Sequence, residues 1–233
     1  MRPWITLTHA GASFETETVL LPDMQRQASV ASDGSTNLSN VEPASLPARR
    51  ALGSVHGLFP VLRVDDTPIH ESLAICEYVA EVFPDAGLWP QDLLRRAQAR
   101  AVSCEMVSGF ANLRGELSCH LFGRVPGFTP SAAAQVDISR VYEIWAECLD
   151  RSGGPFLFGD FCIADAMYFP VLTRLRTYGV PIAKTVTEYA MALETLPAVQ
   201  QLVELARAEP HISVYDHYLR ELGGEPDAAL AAG

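Results

Sequence analysis

The stretch FPVLRVDDTPIHESLAICEY, residues 59–78, carries the clearest structural pattern in the chain. Pro60 to Val64 reads as an apolar strand, which Asp65-Asp66 turns back into a short second strand, Thr67 to His70. A helix is predicted next, from Glu71 to Phe83, because apolar residues recur there at helical spacing. Those residues are Leu73, Ile75, Val79 and Val82. The stretch therefore predicts a β-hairpin followed directly by a helix.

Phe59-Pro60 opens the first of these strands, and its peptide bond can take either of two forms. A proline that begins a strand beside a ligand site can be cis, which turns the N–H and C=O of Phe59 toward the ligand. These groups could then pair with an extended peptide as an added strand would. The alternative is a trans proline at the start of an edge strand.

Glu71-Ser72 lies at the predicted helix start, where free N–H groups and the helix dipole favour a carboxylate. The Ser72 hydroxyl adds a donor, and the Glu71 carboxylate can pair with an ammonium group. Such a site suits a zwitterionic ligand. The alternative is an ordinary N-terminal cap, for which Ser and Glu are also suited.

The rest of the chain divides at Pro84 to Pro90, where two prolines and a glycine predict a linker. Before it we predict short helices over 3–10 and 45–52, an extended segment over 15–21 and a flexible insertion over about 25–44, which is rich in Ser, Asn, Asp and Gly. After it the sequence predicts only helices. Their predicted ranges are 91–122, as one long helix that can be bent, and then 131–150, 163–178, 185–196 and 197–208.

Composition excludes several classes of function. The chain has 233 residues and a net charge of −11, with no Lys/Arg run of the kind that a phosphate backbone requires. It has no long apolar run for a membrane span and no apolar signal segment at its start. The five cysteines show neither pairing nor metal-ligand spacing, so we expect reduced thiols and no metal. We therefore expect neither nucleic acid nor membrane as a partner.

Three segments, taken together, resemble the glutathione S-transferase family. The first is the stretch 59–78, with its proline before a strand and its acidic-Ser pair at a helix start. The second, Gly159 to Asp165, resembles the family's helix-capping segment, although Cys162 replaces the usual Ser or Thr and leaves Asp165 to carry the cap. The third, Glu105 to Arg114, is similar to a stretch common in bacterial-type members.

The resemblance covers nearly the whole chain and implies a fold and a function. It implies an α/β thioredoxin-like N-terminal domain over residues 1–84 and an all-α helical C-terminal domain over residues 91–222, followed by a disordered tail at 223–233. It also implies a cytoplasmic homodimer. As an enzyme of this family, the protein would direct the thiolate of glutathione, its co-substrate, at a small apolar electrophile.

The resemblance also assigns site residues. Glutathione would lie along Phe59 and Pro60, with its γ-glutamyl group at Glu71 and Ser72. The acceptor-substrate pocket would be bordered by one helix face bearing Met106, Phe110 and Arg114, at i, i+4 and i+8. For Met106 and Phe110 the alternative is ordinary packing between domains.

The sequence departs from the family's pattern at its start. Relatives have a strand and a Ser-rich loop before the Arg-Pro-Trp helix, and a hydroxyl in that loop stabilises the thiolate of glutathione. Here Met1 directly precedes Arg2-Pro3-Trp4, so we expect the strand and the catalytic hydroxyl to be absent. The catalytic residue is therefore unknown at this stage. Three hypotheses stay open: an active transferase, a non-catalytic glutathione-binding or interaction protein, and a shortened form of an active enzyme.

Overall fold

The computed structural model describes residues 1–20 and 45–228. The elements are, in chain order, α1 (Arg2–His9), α2 (Leu46–Ala51), β1 (Leu62–Val64), β2 (Thr67–Ile69), α3 (Ser72–Val82), α4 (Leu93–Ser108), α5 (Ala111–Glu116), α6 (Ala132–Ser152), α7 (Ile163–Thr177), α8 (Thr187–Glu194), α9 (Pro197–Arg207) and α10 (Ser213–Glu221). The architecture is the expected one, a thioredoxin-like N-terminal domain with a small sheet and a helical C-terminal domain.

The predicted hairpin and the helix after it are confirmed. Strands β1 and β2 pair antiparallel, with Leu62 opposite Ile69 and Val64 opposite Thr67. Asp65 takes a positive φ of 51° in the turn, a conformation that Asp tolerates better than most residues. The two strands form the whole of the sheet found in the described residues.

Helices α1 and α3 pack side by side and connect the N-terminal domain to the helical one. Ile5 on α1 and Ile75 on α3 are fully buried, and the Thr6 hydroxyl lies 3.3 Å from the Cys76 thiol. Burial raises the pKa of Cys76 to about 12, so this thiol is a packing residue rather than a nucleophile. Helix α1 also contacts α7 and α9, so the core continues from one domain into the other.

The helical domain is built around α7, which is buried along almost its whole length. Its Tyr168 packs edge-on against Trp145 of α6, with ring centres 5.9 Å apart. Tyr189 of α8 approaches the same indole at 5.4 Å. Such aromatic contacts add to the area that these large side chains bury. No helix within residues 1–20 and 45–228 is long and apolar enough to cross a membrane.

The prediction of one long helix over 91–122, straight or bent, is wrong, because two separate helices lie there. Helix α4 ends at Ser108, and Phe110, with a φ of +60°, begins the separate short helix α5. The chain bends at Gly109, where an added Cβ would lie 2.7 Å from the Glu105 carbonyl oxygen. Beyond α5 the chain stays non-helical to Ser131, because this segment contains two prolines and two glycines.

The C-terminal predictions also need correction. Helix α10 was not predicted, although Val214, Tyr215, Tyr218 and Leu219 recur at helical spacing. The tail predicted to be disordered from residue 223 is ordered as far as residue 228, because Glu225 exchanges backbone hydrogen bonds of 2.7 and 2.8 Å with Arg124. Residues 229–233 and the predicted insertion at about 25–44 lie outside the described residues.

Asp165 caps α7, as expected from the sequence. Its carboxylate accepts hydrogen bonds from the backbone N–H groups of Cys162, at 2.8 Å, and Leu157, at 3.1 Å. The side chain is completely buried, and burial raises its pKa to about 6 despite these bonds. Asp165 therefore ties the loop before α7 to the helix start.

The raised pKa of Asp165 predicts a pH dependence of stability. Between about pH 4 and 6 the folded carboxyl keeps a proton that the unfolded chain has lost, so the free energy of unfolding falls as pH rises. Compared with Asp165→Asn, which cannot ionise, the unmodified protein should lose about 2–3 kcal/mol between pH 4 and 7. Urea unfolding of both proteins at each pH measures this difference. Parallel pH profiles would contradict a raised pKa.

Candidate functional site

The Phe59-Pro60 peptide bond is cis, which is the first of the two forms that the sequence left open. The preceding loop is held in place because Arg49 donates a 2.7 Å hydrogen bond to the Gly57 carbonyl and places its guanidinium over the Phe59 ring. The Phe59 side chain is 43% exposed. Among the described residues, none forms a hydrogen bond with the N–H or C=O of Phe59. This short length of backbone is free to pair with an extended ligand.

Glu71 is the N-cap of α3. One carboxylate oxygen accepts hydrogen bonds from the N–H groups of Leu73, at 2.8 Å, and Ala74, at 3.2 Å. The other accepts a longer bond of 3.3 Å from the Ser72 hydroxyl. The capping role considered as the alternative is therefore present. Glu71 is exposed, so its carboxylate can also meet a cationic group, and a ligand role for Glu71 and Ser72 stays a prediction.

The starts of α1 and α3 lie at the same end of the N-terminal domain. Cys76, near the start of α3, is close enough to interact electrostatically with both Arg2 and Glu71. The positive N-terminal end of α3 favours an anionic group near Glu71.

A cavity of about 450 Å³ opens beside the start of α1. Its walls come from Met1, from residues 119–122 and from the chain between the end of α9 and α10, including Tyr215. Burial raises the pKa of Tyr215, which keeps its hydroxyl a neutral donor. Tyr215 also interacts electrostatically with Arg49, the residue that lies over Phe59.

Asp216 organises the polar wall of this cavity. It is buried and binds His120 at 3.0 Å and His211 at 2.9 Å. Burial raises the pKa of Asp216, but the hydrogen bonds from the two histidines outweigh burial and leave the pKa below its usual value. The other ring nitrogen of His120 accepts a 3.0 Å bond from the Gly123 N–H, so both His120 nitrogens serve the structure.

Sequence reasoning missed this cavity. Cys119 and His120 lie in the segment wrongly predicted as helix, and Tyr215 and Asp216 lie on the unpredicted α10. The adjacent residues Cys119 and His120 were the only local indication of a polar site in this part of the sequence. Nothing in the sequence brings them next to a helix that begins about ninety residues later.

The predicted acceptor face is not a single face. Met106 is fully buried in the core, Phe110 lies at the bend between α4 and α5, and Arg114 belongs to α5. The break at Gly109 separates these residues, so the i, i+4, i+8 spacing does not apply. Phe110 lines a different depression with Glu105 and Arg140, which bind each other at 2.8 and 3.1 Å. A substrate role for the three residues stays a prediction.

Comparison with known families and structures gives a consistent result. Residues 1–82 match the sequence model described as "Glutathione S-transferase, N-terminal domain", and residues 105–204 match "Glutathione S-transferase, C-terminal domain". A crystal structure of a glutathione transferase homolog from Burkholderia gl BGR1, with bound glutathione, has a TM-score of 0.59 and 26% identity. That match covers 89% of this chain and 91% of the other.

Two curated relatives carry the name of an isomerase. A Caenorhabditis elegans protein named "Probable maleylacetoacetate isomerase" is 30% identical over 60% of this chain and 66% of its own length. The maleylacetoacetate isomerase of Rattus norvegicus is 28% identical over 60% of this chain and 65% of its own length. The chain thus spans slightly less than two thirds of these relatives.

Proposed function

Because this chain belongs to the glutathione S-transferase family, we propose that it binds glutathione along Phe59-Pro60 and joins the glutathione sulfur to a small electrophile. One observation carries the proposal. The unpaired backbone of Phe59, at a cis proline, lies at the same end of the domain as the start of α3. An extended tripeptide with charged ends suits this arrangement.

The cysteinyl and γ-glutamyl parts of glutathione each have a partner in this arrangement. The N–H and C=O of Phe59 pair with the cysteinyl residue as a neighbouring strand would. The start of α3 and the Ser72 hydroxyl hold the γ-glutamyl carboxylate, where the helix dipole favours an anion. The exposed Glu71 carboxylate pairs with the γ-glutamyl ammonium while it continues to cap the helix. The two charges of the γ-glutamyl group thus meet groups of opposite sign.

The thiolate needs a hydrogen-bond donor, and the hydroxyls of α1 are poorly placed to supply it. Thr6 donates to the Arg2 carbonyl at 3.1 Å and contacts Cys76, and the Thr8 hydroxyl is buried without a partner among the described residues, while Ser13 lies beyond the helix end. Tyr215 is the hydroxyl that the cavity offers. A neutral phenol that donates to sulfur lowers the pKa of the thiol and increases the thiolate fraction at neutral pH.

Conjugation of glutathione with chlorodinitrobenzene tests the activity. The thiolate attacks the ring carbon that bears chlorine, the C–S bond forms, and chloride leaves with the bonding pair. We expect turnover above the uncatalysed rate, and Tyr215→Phe should lower kcat by about 10-fold or more. A chain with no turnover that still binds glutathione would instead be a non-catalytic glutathione-binding protein.

Isomerisation is the second candidate activity, favoured by the names of the curated relatives. Addition of the thiolate to a conjugated cis double bond gives an intermediate that can rotate. Elimination then returns the thiol and the trans product, with no net use of glutathione. Isomerisation without loss of free thiol would favour this activity over conjugation.

The proposal also covers the oligomeric state, the location and the partners of the protein. We expect a homodimer in the cytoplasm, with glutathione and a small electrophile as its partners. Size-exclusion chromatography with light scattering would measure the mass against the 25.3 kDa of one chain.

A further inference from the structure

Arg49 on α2 is a buried arginine, with 5% of its surface exposed. Its guanidinium donates to the Gly57 carbonyl at 2.7 Å and to the Ser45 hydroxyl at 3.1 Å. A hydrogen bond from a charged donor is stronger than one between neutral groups, and burial removes the water that would compete for the carbonyl. Arg49 therefore fixes the carbonyl that lies two residues before Phe59.

The next carbonyl of this loop is held as well. The hydroxyl of Ser54, which is 1% exposed, donates to the Leu58 carbonyl. The Ser54 N–H in turn donates to the Arg49 carbonyl at 3.2 Å, so this bond ties the loop to α2. The guanidinium of Arg49 also lies 5.9 Å from the centre of the Phe59 ring, within the range of a cation–π contact. The Phe59 carbonyl is thus the first of the three that has no partner among the described residues.

These contacts restrict the direction in which the unpaired backbone of Phe59 faces. An extended ligand can pair with this backbone only if the N–H and C=O point toward it. A loop that rotates freely must first be ordered, and that ordering costs binding free energy. Residues 54–59 lie outside α2 and β1, so neither strand pairing nor helical hydrogen bonds hold them. The two side-chain bonds to consecutive carbonyls supply the order instead.

We propose that Arg49 is a positioning residue for glutathione, which holds the backbone of residues 57–59 in the orientation that pairs with the cysteinyl residue. The inference rests on the proposed function and adds to it a residue that acts through Gly57 and Phe59. The neighbouring Arg50 offers a contrast. It is exposed, and it donates to the carbonyl of Val55, farther from Phe59, at 3.2 Å.

Glutathione and an analogue methylated at the cysteinyl N–H test this role by calorimetric titration. The analogue cannot donate to the Phe59 carbonyl, so the unmodified protein should bind it about tenfold more weakly than glutathione. Arg49→Met keeps an apolar stem but has no donor, and it should bring the ratio of the two dissociation constants to about two or less. Arg49→Lys keeps a charged donor and should restore part of the ratio.

Arg50→Met is the matched control, since it makes the same change one residue along the helix. Its ratio should stay that of the unmodified protein. If circular dichroism shows that Arg49→Met does not fold, the smaller loss expected of Arg49→Lys decides the matter. Weaker binding of both ligands with an unchanged ratio would overturn the proposal, because Arg49 would then support the fold without orienting Phe59.

Hydrogen–deuterium exchange of the unliganded proteins tests the positioning without glutathione. Arg49→Met should speed exchange about tenfold or more at Ser54 and Gly57, whose N–H groups donate to the carbonyls of Arg49 and Ser54. Exchange within α3 should not change. Unchanged exchange in the loop would overturn the proposal. Failure of the unmodified protein to bind glutathione would overturn the proposed function instead, and exchange alone would then decide whether Arg49 holds the loop.

Discussion

Replacing Asp165 with alanine is expected to lower the free energy of unfolding by about 3 kcal/mol or more. The carboxylate accepts two backbone N–H groups that lie in a buried region, those of Cys162 and Leu157. Alanine leaves both donors unsatisfied, and each such group costs about 1–3 kcal/mol. The start of α7 is then no longer hydrogen-bonded to the preceding loop. Because α7 is the centre of the helical domain, this loss affects the whole domain. Urea unfolding at pH 7 measures the change.

Two further variants show whether the hydrogen bonds cause this effect. Asp165→Asn keeps one acceptor oxygen, so its free energy of unfolding should lie between that of the unmodified protein and that of Asp165→Ala. Asp160→Ala removes an exposed aspartate from the same loop and should change stability by no more than about 0.5 kcal/mol. An alanine variant of Asp165 within about 1 kcal/mol of the unmodified protein would show that water replaces the carboxylate at both donors.

Replacing Glu71 is expected to weaken glutathione binding about tenfold or more, which corresponds to a charged hydrogen bond of about 1.5–3 kcal/mol. The cause would be loss of the partner for the γ-glutamyl ammonium. Since Glu71 also caps α3, Glu71→Ala should cost about 0.5–2 kcal/mol of stability as well. Calorimetric titration measures the first effect, and urea unfolding measures the second.

Glu71→Gln separates the two roles. Glutamine keeps a side-chain oxygen that can accept from Leu73 and Ala74, but it has no charge for the ammonium. Stability should therefore stay close to that of the unmodified protein, while affinity falls. Glu81→Gln, an exposed change near the other end of the same helix, should alter neither. If Glu71→Gln binds glutathione normally, Glu71 is a helix cap and nothing more.

The N-terminal part of the fold was predictable because its signals are local. Strand alternation, the Asp65-Asp66 turn and the helical stripe after Glu71 each lie within about a dozen residues. The Asp165 cap was predictable for the same reason, as it joins residues three apart. The cis form of Phe59-Pro60 could be expected only from family resemblance, since the pattern of residues allows both forms.

The cavity could not be predicted because distant contacts form it. His120 binds Asp216, and Arg2 donates to Met167, across 96 and 165 residues respectively. The bend at Gly109 is a local signal that was missed, because a glycine inside an apolar helical pattern is often tolerated. That single error placed Met106, Phe110 and Arg114 on one face.

Calorimetric titration of glutathione into the unmodified protein tests the central claim most directly. The account predicts saturable one-site binding, which should weaken strongly when the cysteinyl N–H of glutathione is methylated, because the C=O of Phe59 would then lack its donor. Failure to detect binding at millimolar glutathione would contradict the account. It would leave a chain of the transferase family that has the fold of the glutathione site but does not bind glutathione there.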